Sequence, residues 1–131
     1  MSDIRATTIS ALNGTDPITL TKQSAAKAWV NFNGGNGSDT VSINDSYNAS
    51  SVSDDGTGKY TVNFSAAMSN TYYALVAQTE DGGGYNDPRV INHESSQARS
   101  TTAYGLYHWH IATASLDDAT KINIAVHGDL A

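Results

Sequence analysis

The chain has no cysteine, only two prolines and only seven lysine and arginine residues among its 131 positions. The lack of cysteine excludes disulfide bonds and thiolate metal ligands. The formal net charge is −6 and the few basic residues are scattered, so nucleic acid is not expected as a partner. No apolar run approaches the roughly 18 residues of a membrane-spanning helix, so membrane insertion is not expected either.

Glycine and small polar residues are what the chain has in abundance, with 11 glycines and few charged side chains. This composition is typical of an exposed all-β protein that contains many turns. A length of 131 residues fits a single domain. Residues 1–5 lack the features of a signal peptide, so we expect synthesis in a cytoplasm without export.

Alternation of inward and outward residues identifies the clearest strands. Every second side chain of Lys59–Phe64 is apolar, and Ala28–Asn33 alternates in the same way. This period of two predicts half-buried strands. The glycines of residues 54–58 permit the positive φ angles of a tight turn, which predicts a hairpin that closes with Lys59–Phe64.

Further β-rich runs follow along the chain at residues 71–79, 89–92, 100–113 and Lys121–His127. An edge strand is predicted at 17–21 and a single short helix at 21–28. Seven or eight strands predict an all-β protein, an antiparallel β-sandwich of jelly-roll-like type. We assign residues 1–26 to an extended N-terminal arm and residues 27–131 to the sandwich domain.

Two runs also predict which side faces the core. Both faces of residues 71–79 are apolar, which indicates a central strand covered on each side or a subunit contact. In residues 100–113 the more apolar face is predicted to point into the core, and the other to meet solvent or a partner. The predicted core face consists of Ala103, Gly105, Tyr107, Trp109 and Ile111. The opposite face consists of Tyr104, Leu106, His108 and His110.

Three segments of the first half resemble a known module. They read KAWVNFNG at 27–34, DSYN at 45–48 and DGTGKYTVNF at 55–64. Together they resemble a module of bacteriophage tail-fibre, tail-tip and other virion appendage proteins, over roughly residues 21–68. The loop at 35–38 is longer than the module leads us to expect. The resemblance implies a virion surface component, usually a homotrimer attached to other virion proteins by its N-terminal end, without catalytic residues.

The pair His108 and His110 is the candidate for a metal site. Residues i and i+2 of a strand project from one face, so two imidazoles can lie side by side. The alternative is two exposed or hydrogen-bonded histidines on an amphipathic strand, and two histidines alone do not establish a site. We therefore expect no metal and no cofactor. The aspartates of residues 54–58 are explained by the hairpin turn rather than by calcium.

Aromatic side chains beside polar ones are the candidates for binding a host glycan. Apolar ring faces stack on sugars, while neighbouring donors and acceptors satisfy the hydroxyls. Tyr85 with Asn86 and Asp87 on a glycine-rich loop, and Tyr104 with His108, have this mixture. The alternative is that these tyrosines are only half-buried at the sheet surface.

No motif for catalysis is present. The chain lacks the Gly-x-Ser-x-Gly elbow of hydrolases and the helix of zinc proteases. Asp81, Asp87 and Glu94 could pair as glycosidase carboxylates, but a sandwich of this size leaves little room for a deep cleft, so solvated loop acids are the favoured explanation.

We therefore expect a non-enzymatic subunit of a phage virion surface, placed on a tail fibre, tail tip or head fibre. It would be made in the host bacterial cytoplasm, form a homotrimer, attach through its arm and contact host glycan. The alternatives are a purely structural decoration or cement protein of capsid or tail, an independent carbohydrate-binding module, and a small capsule hydrolase.

Deletion of residues 1–20 should abolish docking to the virion while leaving the β circular dichroism unchanged, because the arm is predicted to lie outside the sandwich. Co-sedimentation of the truncated and full-length chains with particles measures docking. Docking that survives the deletion would contradict the assignment of attachment to the arm.

Overall fold

A computed structural model describes residues 25–35, 40–80, 88–97 and 99–131, and within them the chain forms nine strands and no helix. The strands are β1 (Ala28–Asn33), β2 (Ser42–Tyr47), β3 (Ala49–Gly56), β4 (Lys59–Phe64), β5 (Ala74–Glu80), β6 (Arg89–His93), β7 (Ala103–His110), β8 (Ser115–Leu116) and β9 (Lys121–His127).

The strands form two antiparallel sheets. The first sheet has the order β2-β1-β9-β5, and the second has the order β3-β4-β7-β6 with β8 beside β7. The predicted β3–β4 hairpin is confirmed, with Gly56 opposite Lys59 and positive φ angles at Gly56 and Gly58. The predicted antiparallel β-sandwich is therefore confirmed.

The core lies between the inner faces of the two sheets. Alternate residues of β1, β4 and β9 are buried, as the sequence predicts. Phe32 of the first sheet meets Tyr60 of the second edge to face, with ring centroids 5.4 Å apart, a favourable arrangement for aromatic pairs. The buried core residues are Ala28, Val30, Phe32, Tyr60, Val62, Phe64, Met68, Tyr73, Tyr104, Leu106, Ala119, Ile122, Ile124 and Val126.

The Tyr60 hydroxyl joins the sheets at one end of the sandwich. It donates to the Gly34 carbonyl at 2.8 Å and accepts from the Ala119 amide at 3.2 Å. A Cβ atom on Gly34 would lie 2.6 Å from this hydroxyl, so the contact requires glycine. Burial, and then the nearby Asp118 carboxylate, raise the pKa of Tyr60 well above its ordinary range, so the hydroxyl keeps its proton.

Asn48 is the residue at which the chain passes from the first sheet to the second. Its φ of 55° is in the left-handed region, which asparagine tolerates better than most residues. Its side-chain amide donates to the carbonyls of Lys27 at 3.0 Å and Ala66 at 3.2 Å, and its oxygen accepts from the Ala66 amide at 2.6 Å. The DSYN segment therefore ends in a corner held by side-chain hydrogen bonds.

Two predictions near the N-terminus have different outcomes. The helix at 21–28 is wrong over its described part, because Ala28 starts β1 and buries its side chain with the alternating residues that follow. Residues 1–24, which include most of the predicted arm and the edge strand at 17–21, lie outside the described residues. In the described part of the chain, we find no helix of the length and apolarity that a membrane crossing requires.

Of the two alternatives for 71–79, the central strand is wrong, and the subunit contact stays a prediction. β5 starts at Ala74 and, among the described residues, pairs only with β9, so it lies at the edge of the first sheet. Leu75 and Ala77 pack against the core, whereas Val76 is 63% exposed. An apolar residue on each face did not indicate two covered faces, since isolated exposed apolar side chains are common.

The predicted orientation of β7 is also wrong. Tyr104, Leu106 and His108 point into the core and are 4%, 0% and 0% exposed, while Tyr107 and Trp109 lie on the outer face. His108 can be buried because both ring nitrogens have partners, the Asp117 carbonyl at 2.6 Å and the Thr79 hydroxyl at 3.2 Å. A buried polar group that is fully hydrogen-bonded is tolerated in a core.

Leu106→Ala should lower the free energy of unfolding by about 2–5 kcal/mol, since it leaves a cavity at a fully buried position of the central strand β7. Urea unfolding followed by circular dichroism measures the change. Val76→Ala, at an exposed position on β5, is the control and should change stability by no more than about 0.5 kcal/mol. Equal effects of the two substitutions would contradict the orientation described for these strands.

Candidate functional site

A groove runs over the outer face of the second sheet and has a volume of about 370 Å³. Trp109 and Tyr107 of β7 form its floor, because residues two apart on a strand share a face. Val90 is opposite Trp109 on β6, and Leu116 is opposite it on β8. The groove is lined by Lys59, Val90, Glu94, Ser95, Tyr107, Trp109 and Leu116. Its volume is within the range of ligand sites in proteins.

The segment after β6 forms one wall of this groove by folding back over β7. The Glu94 amide donates to the Gly105 carbonyl at 3.1 Å. Gln97 lies directly above Gly105, and a Cβ atom on this glycine would collide with the Gln97 side chain. Glycine is required here for the close approach of one segment to another. Specific contacts within the fold therefore form the groove.

An ion pair closes one end of the groove. Lys59 Nζ lies 3.3 Å from Glu94 Oε2. The other carboxylate oxygen, Oε1, accepts from the Ser96 amide at 2.9 Å and from the Ser96 hydroxyl at 2.8 Å. The hydrogen bonds from Ser96, and then the Lys59 ammonium, hold the pKa of Glu94 below its ordinary value. Glu94 is therefore ionised and fixed in position at neutral pH.

This arrangement can bind a ring with an apolar face and hydroxyl edges. The indole of Trp109 and the phenol of Tyr107 offer surfaces for stacking. The Lys59 ammonium can donate to a hydroxyl, while the Glu94 carboxylate can accept from its neighbour. Two adjacent hydroxyls of a sugar could bridge a donor and an acceptor 3.3 Å apart. The groove therefore has the chemistry to hold a sugar ring.

The residues predicted for glycan binding fall into two groups. Tyr85, Asn86 and Asp87 lie outside the described residues. The prediction that Tyr104 and His108 face solvent or a partner is wrong, because both are buried in the core. Tyr104 packs edge to face on Tyr73, with ring centroids 6.3 Å apart, and this stacking accounts for its inward position.

The histidine pair does not form an open metal site. The Asp117 carbonyl can only accept, so His108 donates to it from Nδ1, while its Nε2 lies 3.2 Å from the Thr79 hydroxyl, which also contacts the Lys121 carbonyl at 3.3 Å. His110 has its Nδ1 3.7 Å from the Asp117 carboxylate, which also pairs with Arg89 at 3.1 Å. Within the described ranges, no three His, Asp or Glu side chains are grouped to hold a metal ion.

The groove-forming role of Trp109, Tyr107 and Lys59 was not found from the sequence. The signal that could have found it is the pairing of two large aromatics, two residues apart, on a strand whose other face also contains apolar residues. Glu94 was considered as one of several loop acids, but its partner Lys59 is 35 positions away along the chain. The register of β4 against β7, with Lys59 opposite Tyr107, and the fold-back of the segment after β6 together bring these residues into contact.

No protein-family model, curated protein or solved structure matches the chain. The resemblance of residues 21–68 to phage appendage modules therefore stays a prediction from the quoted segments. The chemistry of the surfaces is the remaining guide to function.

Acidification should remove the stabilisation that the Glu94 contacts contribute. Because the pKa of Glu94 in the folded state is below its ordinary value of 4.5, this contribution is fully present above that value and is lost as pH falls through the lowered pKa. Urea unfolding of the native chain and of Glu94→Gln at stepwise lower pH measures it. The two chains should differ in stability at neutral pH and converge in acid, and a difference that is constant with pH would contradict the prediction.

Proposed function

We propose that the chain is a non-enzymatic binding subunit of a phage virion surface, and that it contacts host glycan through the groove on its second sheet. The observation that carries this proposal is the pairing of Trp109 and Tyr107 with the Lys59–Glu94 ion pair in one groove. Stacking surfaces beside fixed donors and acceptors are the usual composition of a sugar site.

The groove residues favour binding over hydrolysis. Glycosidases use two carboxyl groups about 5–9.5 Å apart, one of them with a raised pKa that lets it act as the acid. Glu94 is the one carboxylate among the described residues that line the groove, and its pKa is lowered. Its Oε1 already accepts two hydrogen bonds from Ser96, and its Oε2, which pairs with Lys59, is the oxygen with a lone pair left to accept from a ligand hydroxyl. These features support a role in holding a ligand.

The virion setting rests on the resemblance of residues 21–68, and two features of the fold are consistent with it. The residues of the resemblance occupy structural positions, with Asn48 at the crossover between sheets and Tyr60 at the closure of the sandwich. The edge strands β2 and β5 of the first sheet and β3 and β6 of the second have no partner on one side among the described residues. Association into a homotrimer, with attachment through the N-terminal arm, would cover some edges. It would also repeat a weak site and so increase avidity.

The rival functions differ in measurable ways. A structural decoration protein would bind particles but give no hit on a glycan array. An independent carbohydrate-binding module would bind glycans as a monomer in solution. A capsule hydrolase would release products from polysaccharide and lose this turnover when Glu94 is replaced by Gln. A trimer that binds both particles and glycans, without turnover, matches the proposal.

Trp109→Ala should weaken the binding of an array-selected oligosaccharide at least tenfold, about 1.4 kcal/mol, because the variant loses the stacking surface. Isothermal titration calorimetry measures the affinity. Ile111→Ala removes a 51% exposed apolar side chain next to β7 but outside the groove lining, and should leave affinity unchanged. Unchanged binding by folded Trp109→Ala would refute the groove as the site.

A further inference from the structure

The outer face of the first sheet carries two parallel rows of side chains that cross the strands. The apolar row contains Trp29, with Tyr47 opposite it on β2 and Ala125 opposite it on β9, and continues to Val76 on β5. Trp29, Tyr47 and Val76 are 36%, 53% and 63% exposed. Since Ala125 is much smaller than its neighbours on either side, the row contains a depression of about 280 Å³.

The second row consists of amide side chains two positions further along the strands. Asn31 is opposite Asn123, which is opposite Gln78. The Asn44 amide donates to the Asn31 oxygen at 2.7 Å, and the Asn31 amide donates in turn to the Asn123 oxygen. The Asn123 amide lies 3.4 Å from the Glu80 carboxylate. The amides therefore form a chain of hydrogen bonds in which every donor points the same way.

The side-chain amides in this series of hydrogen bonds still have unused donors and acceptors. Each side-chain amide has two N–H donors and an oxygen with two lone pairs. Asn31 and Asn123 each use one donor and one acceptor position in the chain. Gln78 makes no side-chain hydrogen bond to a described residue. Such a row of paired donors and acceptors complements hydroxyl groups, which also donate and accept.

The charge and dimensions of the face select the kind of ligand. Among the described residues, the neutral ion pair of Lys121 with Glu80 at 3.0 Å lies beside the rows, and Asp45 is exposed opposite Asn31. The whole chain has a net charge of −6. A polyanion is therefore disfavoured. The two rows are about 7 Å apart, two residues along a strand, and neighbouring amides in a row are about 4.8 Å apart. These spacings are comparable to the width and length of a pyranose ring.

We infer that this face is a second carbohydrate site, which binds an extended uncharged oligosaccharide lying across the strands. The apolar faces of the sugar rings lie over Trp29 and Ala125, and the hydroxyls along one edge contact Asn31, Asn123 and Gln78. This inference rests on the proposed function for the class of ligand, but it uses neither the groove nor its residues.

The two tryptophans of the chain report on the two sites separately, since Trp29 lies on the first sheet and Trp109 on the second. Each gives one indole N–H cross-peak in a ¹⁵N-labelled sample, and Trp29→Phe and Trp109→Phe assign the peaks. The probes are cellohexaose, maltohexaose, laminarihexaose and N-acetylchitohexaose. An oligogalacturonate of the same length is the anionic control.

We expect at least one uncharged hexasaccharide to shift the Trp29 peak, also in the Trp109→Phe background, and the oligogalacturonate not to shift it. Gln78→Ala, at an exposed position of the edge strand, should weaken this binding about tenfold. Asn92→Ala, which removes an exposed amide side chain on β6 of the other sheet and outside the groove lining, should not. The inference is overturned if none of the uncharged probes shifts the Trp29 peak, or if Gln78→Ala binds as tightly as the native chain.

The titration distinguishes a failure of one proposed site from a failure of the other. A shift of the Trp109 peak alone would refute the second site and support binding in the groove. A shift of the Trp29 peak alone would establish the second site and refute the groove as the place of glycan contact.

Discussion

The hydrogen bonds of the buried Tyr60 hydroxyl are the contacts on which one end of this sandwich depends. They join β4 of the second sheet to the end of β1 and to the segment before β9 in the first. The ring beneath the hydroxyl packs on Phe32 in the centre of the core. The Tyr60 side chain thus buries its ring in the core and also hydrogen-bonds two backbone groups that would otherwise be buried without partners. Because these contacts fix the sheets relative to each other, the positions of the outer faces follow from them.

The outer faces differ although both belong to one small domain. On the second sheet, the segment after β6 folds over Gly105 and converts a flat surface into a groove with an ion pair at one end. On the first sheet, no described segment covers the outer face, and the small side chain of Ala125 makes a depression between taller neighbours. The two surfaces therefore combine an indole with polar partners in different ways, one with charges and one with amides.

Sequence periodicity was sufficient for β1, β4 and β9, because their inward residues are apolar and their outward residues are mostly not. It failed for β7, where the burial of His108 depends on Thr79, 29 positions away in the chain. It failed for the edge position of β5, since strand order depends on the whole topology. The aromatic pair of the groove is visible in the sequence, but its wall and its ion pair are not, because the contact of Gln97 with Gly105 and the pairing of Lys59 with Glu94 are tertiary.

Because Trp29 and Trp109 lie on opposite outer faces, one copy of the chain could bind two ligands at once. Directions normal to the two sheets of a sandwich point away from each other, so ligands on the two faces cannot compete for space. A single copy that engaged both would link two separate polymer strands, and would agglutinate capsule or cell-wall fragments without any oligomerisation. A trimer of such copies would behave as a network-forming cross-linker and not merely as a high-avidity clamp on one strand.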